Sequence, residues 1–168
     1  MKIEAVITGD RELTATLTSV PGRLHRRLVT VMTRLGITLQ RHVKQDKLSG
    51  QVLKNRTGHL RASIAHETTD GEAGIVTRVG VFQGPTVIYG RAHEFGFKGV
   101  VTVRAHVRNI KQAFGRPIAP RSVNVRAHSA NLNVKERSFL RTAFAEMRGE
   151  IVGTLDREVA AEVARGSA

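Results

Sequence analysis

Hydrophobic positions recur along this chain with two different periods, and the switches between them mark out its elements. Leu24, Leu28, Met32, Leu35, Leu39 and Val43 return every three or four residues, the single stripe of an amphipathic helix. Arg23, Arg26, Arg27, Arg34, Arg41 and Lys44 mostly fall off that stripe. The spacing predicts a long helix entered after Pro21-Gly22 and ended near Lys47 by Ser49-Gly50. A second stripe runs through Phe139/Leu140, Phe144, Met147, Ile151, Leu155, Val159 and Val163, and predicts a helix to about Ala164.

Elsewhere the period is two. Lys2–Thr8 reads as a first strand closed by Gly9-Asp10, with Asp10 placed to cap a short helix over Arg11–Thr18. In Asn55–Ile64, Leu60, Ala62 and Ile64 alternate with His59, Arg61 and Ser63, which predicts a half-buried strand entered through a reversal at Gly58. Ala62–Glu67 and Gly74–Phe82 predict a hairpin turning at Thr69-Asp70-Gly71. Val87–Gly96 fits neither period, and a short helical turn is expected around Tyr89–Glu94. Val101–His106 and Val123–His128 then share Val-x-Val-Arg-Ala-His. With Lys111–Pro120 as a Gly/Pro-bearing tip between them, they predict a long hairpin. The expected fold is α+β. An antiparallel sheet packs against a long N-terminal helix and a C-terminal helix, and a basic β-hairpin arm projects. The chain reads as one domain, with its core in 1–97 and 129–165 and its arm in 98–128.

Composition narrows the chemistry. The 168 residues include one Tyr, six Phe and no Trp, so the core must be mainly aliphatic. The absence of Cys excludes disulfides and thiolate metal sites and suits assembly in a reducing cytoplasm. The N-terminal residues form no apolar signal region, and no run is long enough to cross a bilayer, so a soluble protein is expected. Net charge is +13 and unevenly spread. From Phe95 to Lys135 the chain carries Lys98, Arg104, Arg108, Lys111, Arg116, Arg121, Arg126 and Lys135 with no acid at all. Such a field calls for an anionic partner, either nucleic acid or an acidic protein surface.

Catalytic signatures are missing. His93-Glu94 is followed by Phe97 where a zinc-protease helix needs a second His. His106 and His128 fall at equivalent places on the hairpin arms, a pattern that does not spell a metal site. Glu67, Asp70, Glu72 and Glu94 are too sparse for a two-metal nuclease, and there is no Gly-rich phosphate loop or Gly-x-Ser-x-Gly elbow. Neither enzymatic activity, a metal nor a cofactor is expected.

The order of motifs resembles a known family. Arg56-Thr57-Gly58-His59-Leu60-Arg61-Ala62-Ser63-Ile64 is similar to the signature of tailed-phage tail-completion (virion morphogenesis, neck) proteins. Tyr89-Gly90-Arg91-Ala92-His93-Glu94-Phe95-Gly96 is similar to that family's Tyr-x-x-x-x-Glu-(Phe/Tyr)-Gly segment. Arg137-Ser138-Phe139-Leu140-Arg141 resembles its Arg-Pro-Phe-Leu-Arg entry to the last helix, with Ser138 in place of Pro. The Val-Arg-Ala-His hairpin resembles the arm of a Mu-like branch. The resemblance implies a non-catalytic virion protein, assembled in the host cytoplasm. Its subunits would form a ring, usually of six copies, that closes the tail and joins it to the head connector. Partners would be connector or head-completion proteins, tail-tube or tail-terminator proteins, and DNA in the lumen, with no membrane. Arg104, Arg108, Ile110, Lys111, Phe114, Arg116, Ile118, Arg121 and Arg126 would be the arm's contact residues, with Ile110, Phe114 and Ile118 as apolar anchors. The charge pattern alone also fits a free nucleic-acid-binding protein of nucleoid or RNA-associated type.

Overall fold

The computed structural model describes residues 3–7, 22–53, 57–72, 74–113 and 115–166, so the expected helix over Arg11–Thr18, Arg56 and Phe114 lie outside the described residues. The fold is α+β. Strand β1 (Ile3–Ile7) precedes helix α1 (Gly22–His42), which continues as a π-helical segment, Val43–Gln51. Helix α2 (His59–Ser63), strands β2 (Ala65–Gly71) and β3 (Gly74–Val81) and helix α3 (Thr86–Phe95) follow. Strands β4 (Phe97–Val103), β5 (His106–Ala113), β6 (Arg116–Val125) and β7 (His128–Val134) lead to helix α4 (Phe139–Gly166). Contacts divide the chain into two units, residues 1–95 with 136–168, and residues 96–135.

In the first unit β3 is central in an antiparallel sheet of order β1-β3-β2, pairing Ala5 with Val79 on one side and His66 with Val79 on the other. The α1 stripe lies where the heptad-like spacing put it. Leu24, Leu28, Met32, Leu35, Leu39 and Val43 are all buried. Most of these meet Val79 and Val81 of β3, Leu60, Ile64, and Phe139, Ala143, Met147 and Ile151 of α4 in one core. The α4 stripe is buried only as far as Ile151; Leu155 is half-buried and Val163 is exposed. Past that point α4 meets α1 through ion pairs, Arg27 with Glu158 at 2.8 Å and Arg23 with Glu162 at 3.7 Å.

One glycine sets how closely α1 approaches the sheet. A Cβ at Gly36 would sit 2.5 Å from Thr77 Cγ2, inside any real contact, and Thr77 is fully buried. Thr77 Oγ1 shares a 2.9 Å hydrogen bond with Thr68 Oγ1, and Gln40 of α1 donates to the Ile64 carbonyl at 2.8 Å. His66 Nδ1 of β2 donates to Gln40 Oε1 at 2.6 Å, so helix and sheet are joined by a polar contact as well as apolar ones.

Three expectations need correcting. Leu60–Ile64 is not a strand: His59–Ser63 is helical, and the Ala62 amide donates to the Gly58 carbonyl at 2.8 Å. Leu60 and Ile64 are buried while Ala62 between them is exposed, so the pair is an i,i+4 helical contact that mimics alternation. The β2–β3 turn falls beyond Thr69-Asp70-Gly71, because β2 runs on through Gly71, which pairs with Gly74. The expected turn at Tyr89–Glu94 is part of a longer helix, Thr86–Phe95. Gly58, by contrast, has a φ of 75°, the left-handed region that its place at the junction calls for.

The second unit is a single hairpin drawn out over two ladders. β4 pairs with β7 from Phe97↔Val134 to Val103↔His128, and β5 pairs with β6 from His106↔Val125 to Ala113↔Arg116. Arg104-Ala105 and Arg126-Ala127 interrupt the strands at facing positions, so the repeated Val-x-Val-Arg-Ala-His marks one joint on both strands. Gly115, at a φ of 77°, turns the tip.

Candidate functional site

The second and third sequence motifs meet at the start of α4. Helix α4 opens without an acidic residue in its first turn, and its first amides need acceptors. Glu94, the last but one residue of α3, supplies them from across the fold. Its Oε2 accepts from the Leu140 amide at 2.9 Å and its Oε1 from the Arg141 amide at 3.0 Å. The carboxylate is 1% exposed, so this is a buried anion at the positive end of a helix. Arg141 closes the arrangement. Its Nε donates to Glu94 Oε1 at 3.2 Å, one terminal nitrogen donates to the Glu94 carbonyl and to Glu136, and the guanidinium lies 4.8 Å from the centre of the Phe95 ring. Phe139 and Leu140 of the same motif are buried core residues, and the Arg137 amide donates to the His93 carbonyl at 2.7 Å. Gly96, at a φ of 74°, turns the chain directly after Phe95.

Ser138, just before α4, takes part in the helix start through its carbonyl. Thr142 Oγ1 donates to the Ser138 carbonyl at 2.5 Å, and Glu94 takes the capping role. His93, between Tyr89 and Arg137, is pushed below the ordinary imidazole range, first by burial and then by the Arg137 charge. Tyr89 meets its ring edge-on at 4.4 Å.

The first motif and the start of the second share a different feature. Thr57, Gly58, Leu60 and Arg61 line a cavity of about 690 Å³ together with Tyr89, which is half exposed. Ser63 does not reach it and instead donates from Oγ to the Leu60 carbonyl at 2.9 Å, closing the last turn of α2. Residues far apart in sequence are thus gathered in two places: a capped helix end made by Glu94, Phe95 and Arg141, and a cavity made by the Thr57–Arg61 turn and Tyr89.

The hairpin residues have another character. No side chain described in 96–135 is fully buried. Lys98, Arg104, Arg108, Lys111, Arg116, Arg121, Arg126 and Lys135 are all exposed, and among the described residues none of them pairs with a carboxylate. Ile110 and Ile118 are half-buried, and Arg116, Ile118 and Arg121 line a concavity at the far end of the hairpin. His106 and His128 donate from Nδ1 to the carbonyls of Arg104 and Arg126, each at 2.9 Å, which fixes the two halves of the joint alike.

One polar cluster is only partly visible in the sequence. His42 lies between Asp46 (2.5 Å) and Glu146 (2.8 Å), and the buried Lys47 donates to the other Glu146 oxygen at 2.6 Å. Lys47 first and His42 second hold the Glu146 carboxyl below its usual range. Only the i,i+4 spacing of His42 and Asp46 was visible in the sequence; Glu146 comes from α4. Among the described residues no group of His, Cys, Asp and Glu forms a metal-binding set, and no helix is long and apolar enough to cross a membrane. No family model, curated protein or solved structure matches this chain.

Proposed function

We propose that this protein is a structural subunit of a tailed-phage neck, a tail-completion protein whose copies form a ring that closes the tail and joins it to the head connector. The observation that carries the proposal is the coupling of motif residues. Glu94 and Phe95 of one segment engage Leu140 and Arg141 of another, while Thr57, Gly58, Leu60 and Arg61 of a third share a cavity with Tyr89. Motifs that resemble a family signature by their residues and their order are here brought together, two of them by direct contacts and the third by a shared cavity. Two features suit a ring. Among the described residues β1 and β2 are both edges of the three-stranded sheet, each able to pair with a neighbouring copy. The hairpin's cations are all exposed, which suits an anionic partner.

The test is removal of the gene from its phage or prophage. Full heads and finished tails should accumulate unjoined, and the purified protein should form closed rings, six-fold by image classification. Normal virions without the protein, together with a protein that stays monomeric at high concentration, would overturn the proposal.

A further inference from the structure

We infer that the hairpin of residues 96–135 is a duplex-DNA-binding ribbon that grips the phosphate backbone without reading sequence. This deepens the reading of the hairpin as a docking arm and rests on that reading, but it draws on different observations. The first is charge segregation. The other unit holds all fourteen acids of the sequence beside nineteen Lys and Arg, and four of those cations, Arg23, Arg27, Lys47 and Arg141, have a carboxylate at 3.7 Å or closer. In the hairpin there is no acid in the sequence to match any cation. A solubilising surface mixes signs; a run of exposed, unneutralised cations concentrates anions instead.

The second observation is placement. The cations divide equally between the strands, Lys98, Arg104, Arg108 and Lys111 on the outgoing side and Arg116, Arg121, Arg126 and Lys135 on the return. Along the register they recur from one end of the ribbon to the other rather than forming one patch. At about 3.3 Å per residue each ladder is roughly 20–25 Å long, so the charges follow a long polyanion rather than a compact epitope. Arg104 and Arg126 stand at the joint, where neither strand is paired and both side chains are exposed.

The third is the company these cations keep. Thr102, Asn109, Ser122, Asn124, Ser129 and Asn131 are exposed small polar residues of the kind that hydrogen-bond phosphate oxygens. Five of the eight cations are arginine, whose planar fork matches a phosphate in two bonds. A single-strand binder stacks bases on aromatic side chains, and the hairpin's sequence holds only Phe97 and Phe114. An acidic protein partner would be met through a central apolar or aromatic anchor ringed by charge, whereas the hairpin's large exposed apolar side chains, Phe97, Val100, Val107, Val123 and Leu132, are scattered over both ladders and its charges run end to end. Duplex backbone is the anion that these features fit.

The test uses the full chain. Binding is measured by fluorescence anisotropy against a random-sequence DNA duplex of about 30 base pairs, close to three helical turns. A single strand of equal length and poly-L-glutamate serve as competitors, over a series of salt concentrations. The comparison protein carries Arg104→Gln, Arg108→Gln, Arg121→Gln and Arg126→Gln, all exposed positions whose loss should leave the melting temperature unchanged. The duplex should win over both competitors. The slope of log affinity against log salt should be steep for the native chain and shallower by roughly four in the variant, about one per lost cation. No duplex binding, preference for the single strand or for polyglutamate, or an unchanged slope in a folded variant would each overturn the inference. Oligomeric state, measured in parallel, judges the ring separately: a monomer that binds duplex sinks the ring alone, and a ring that ignores duplex sinks this inference alone.

Discussion

Glu94 shows how much one side chain contributes when it is buried in the right place. It satisfies two amides of α4 and neutralises part of Arg141 while itself 1% exposed. Glu94→Ala leaves those amides without an acceptor and should cost about 2–3 kcal/mol by chemical denaturation, the loss of a charged helix cap. A change below 0.5 kcal/mol, that is roughly the noise of a surface substitution, would show that water replaces the carboxylate. Gly36 makes the opposite case to helix propensity. Gly to Ala within a helix ordinarily gains up to about 1 kcal/mol. Here the new methyl would meet the rigid, buried Thr77 Cγ2, so Gly36→Ala should destabilise. Gly36→Ala combined with Thr77→Ser removes the obstructing methyl, and the double variant should recover stability relative to Gly36→Ala in a double-mutant cycle.

At the level of elements, α1 and its π-helical continuation are held to α4 by an apolar and an ionic seam. Leu35 lies in the apolar seam, 6% exposed, and Leu35→Ala should cost about 2–5 kcal/mol. A change within error would place that seam somewhere else. The ionic seam has a pH signature. Glu146 is held below the usual carboxylate range in the folded protein by Lys47 and then His42. Its contribution is therefore present above the pKa it has when unfolded and is lost as pH falls through the lower folded value. The stability difference between the native chain and Glu146→Gln should be largest near neutrality and close toward zero at acid pH. A difference that grows on acidification would contradict the assignment.

For the whole molecule, the two units differ in what holds them. The unit of residues 1–95 and 136–168 has a continuous core from Val31 to Ile151; the hairpin unit has no fully buried side chain among those described. A two-stranded ribbon without a core is marginal in water. Amides of 97–134 should accordingly exchange with solvent orders of magnitude faster than those of Leu28–Leu39. Replacing Lys111–Ile118 with a short Gly-Ser loop should leave thermal stability almost unchanged and, under the proposed function, abolish head–tail joining. Unfolding of the whole chain on that deletion would make the hairpin part of the core.

Where a residue's role follows from its neighbours in the chain, the sequence determined it. The α1 stripe, the β3 strand, the positive φ at Gly58 and the hairpin between the two Val-Arg-Ala-His runs are all local: a 3.6 or 2.0 period, or a backbone that only glycine adopts comfortably. The failure at Leu60–Ile64 has the same source, because two apolar residues four apart satisfy both periods and only the burial of the residue between them separates helix from strand. Tertiary structure alone decided the rest. Glu94 caps a helix that begins 45 residues later at Phe139. Lys47 is buried because Glu146 arrives from α4, and Gly36 is needed because Thr77 arrives from β3. No pattern along the chain encodes such pairs, since a buried charge or a close backbone approach is defined by what lies across the core from it.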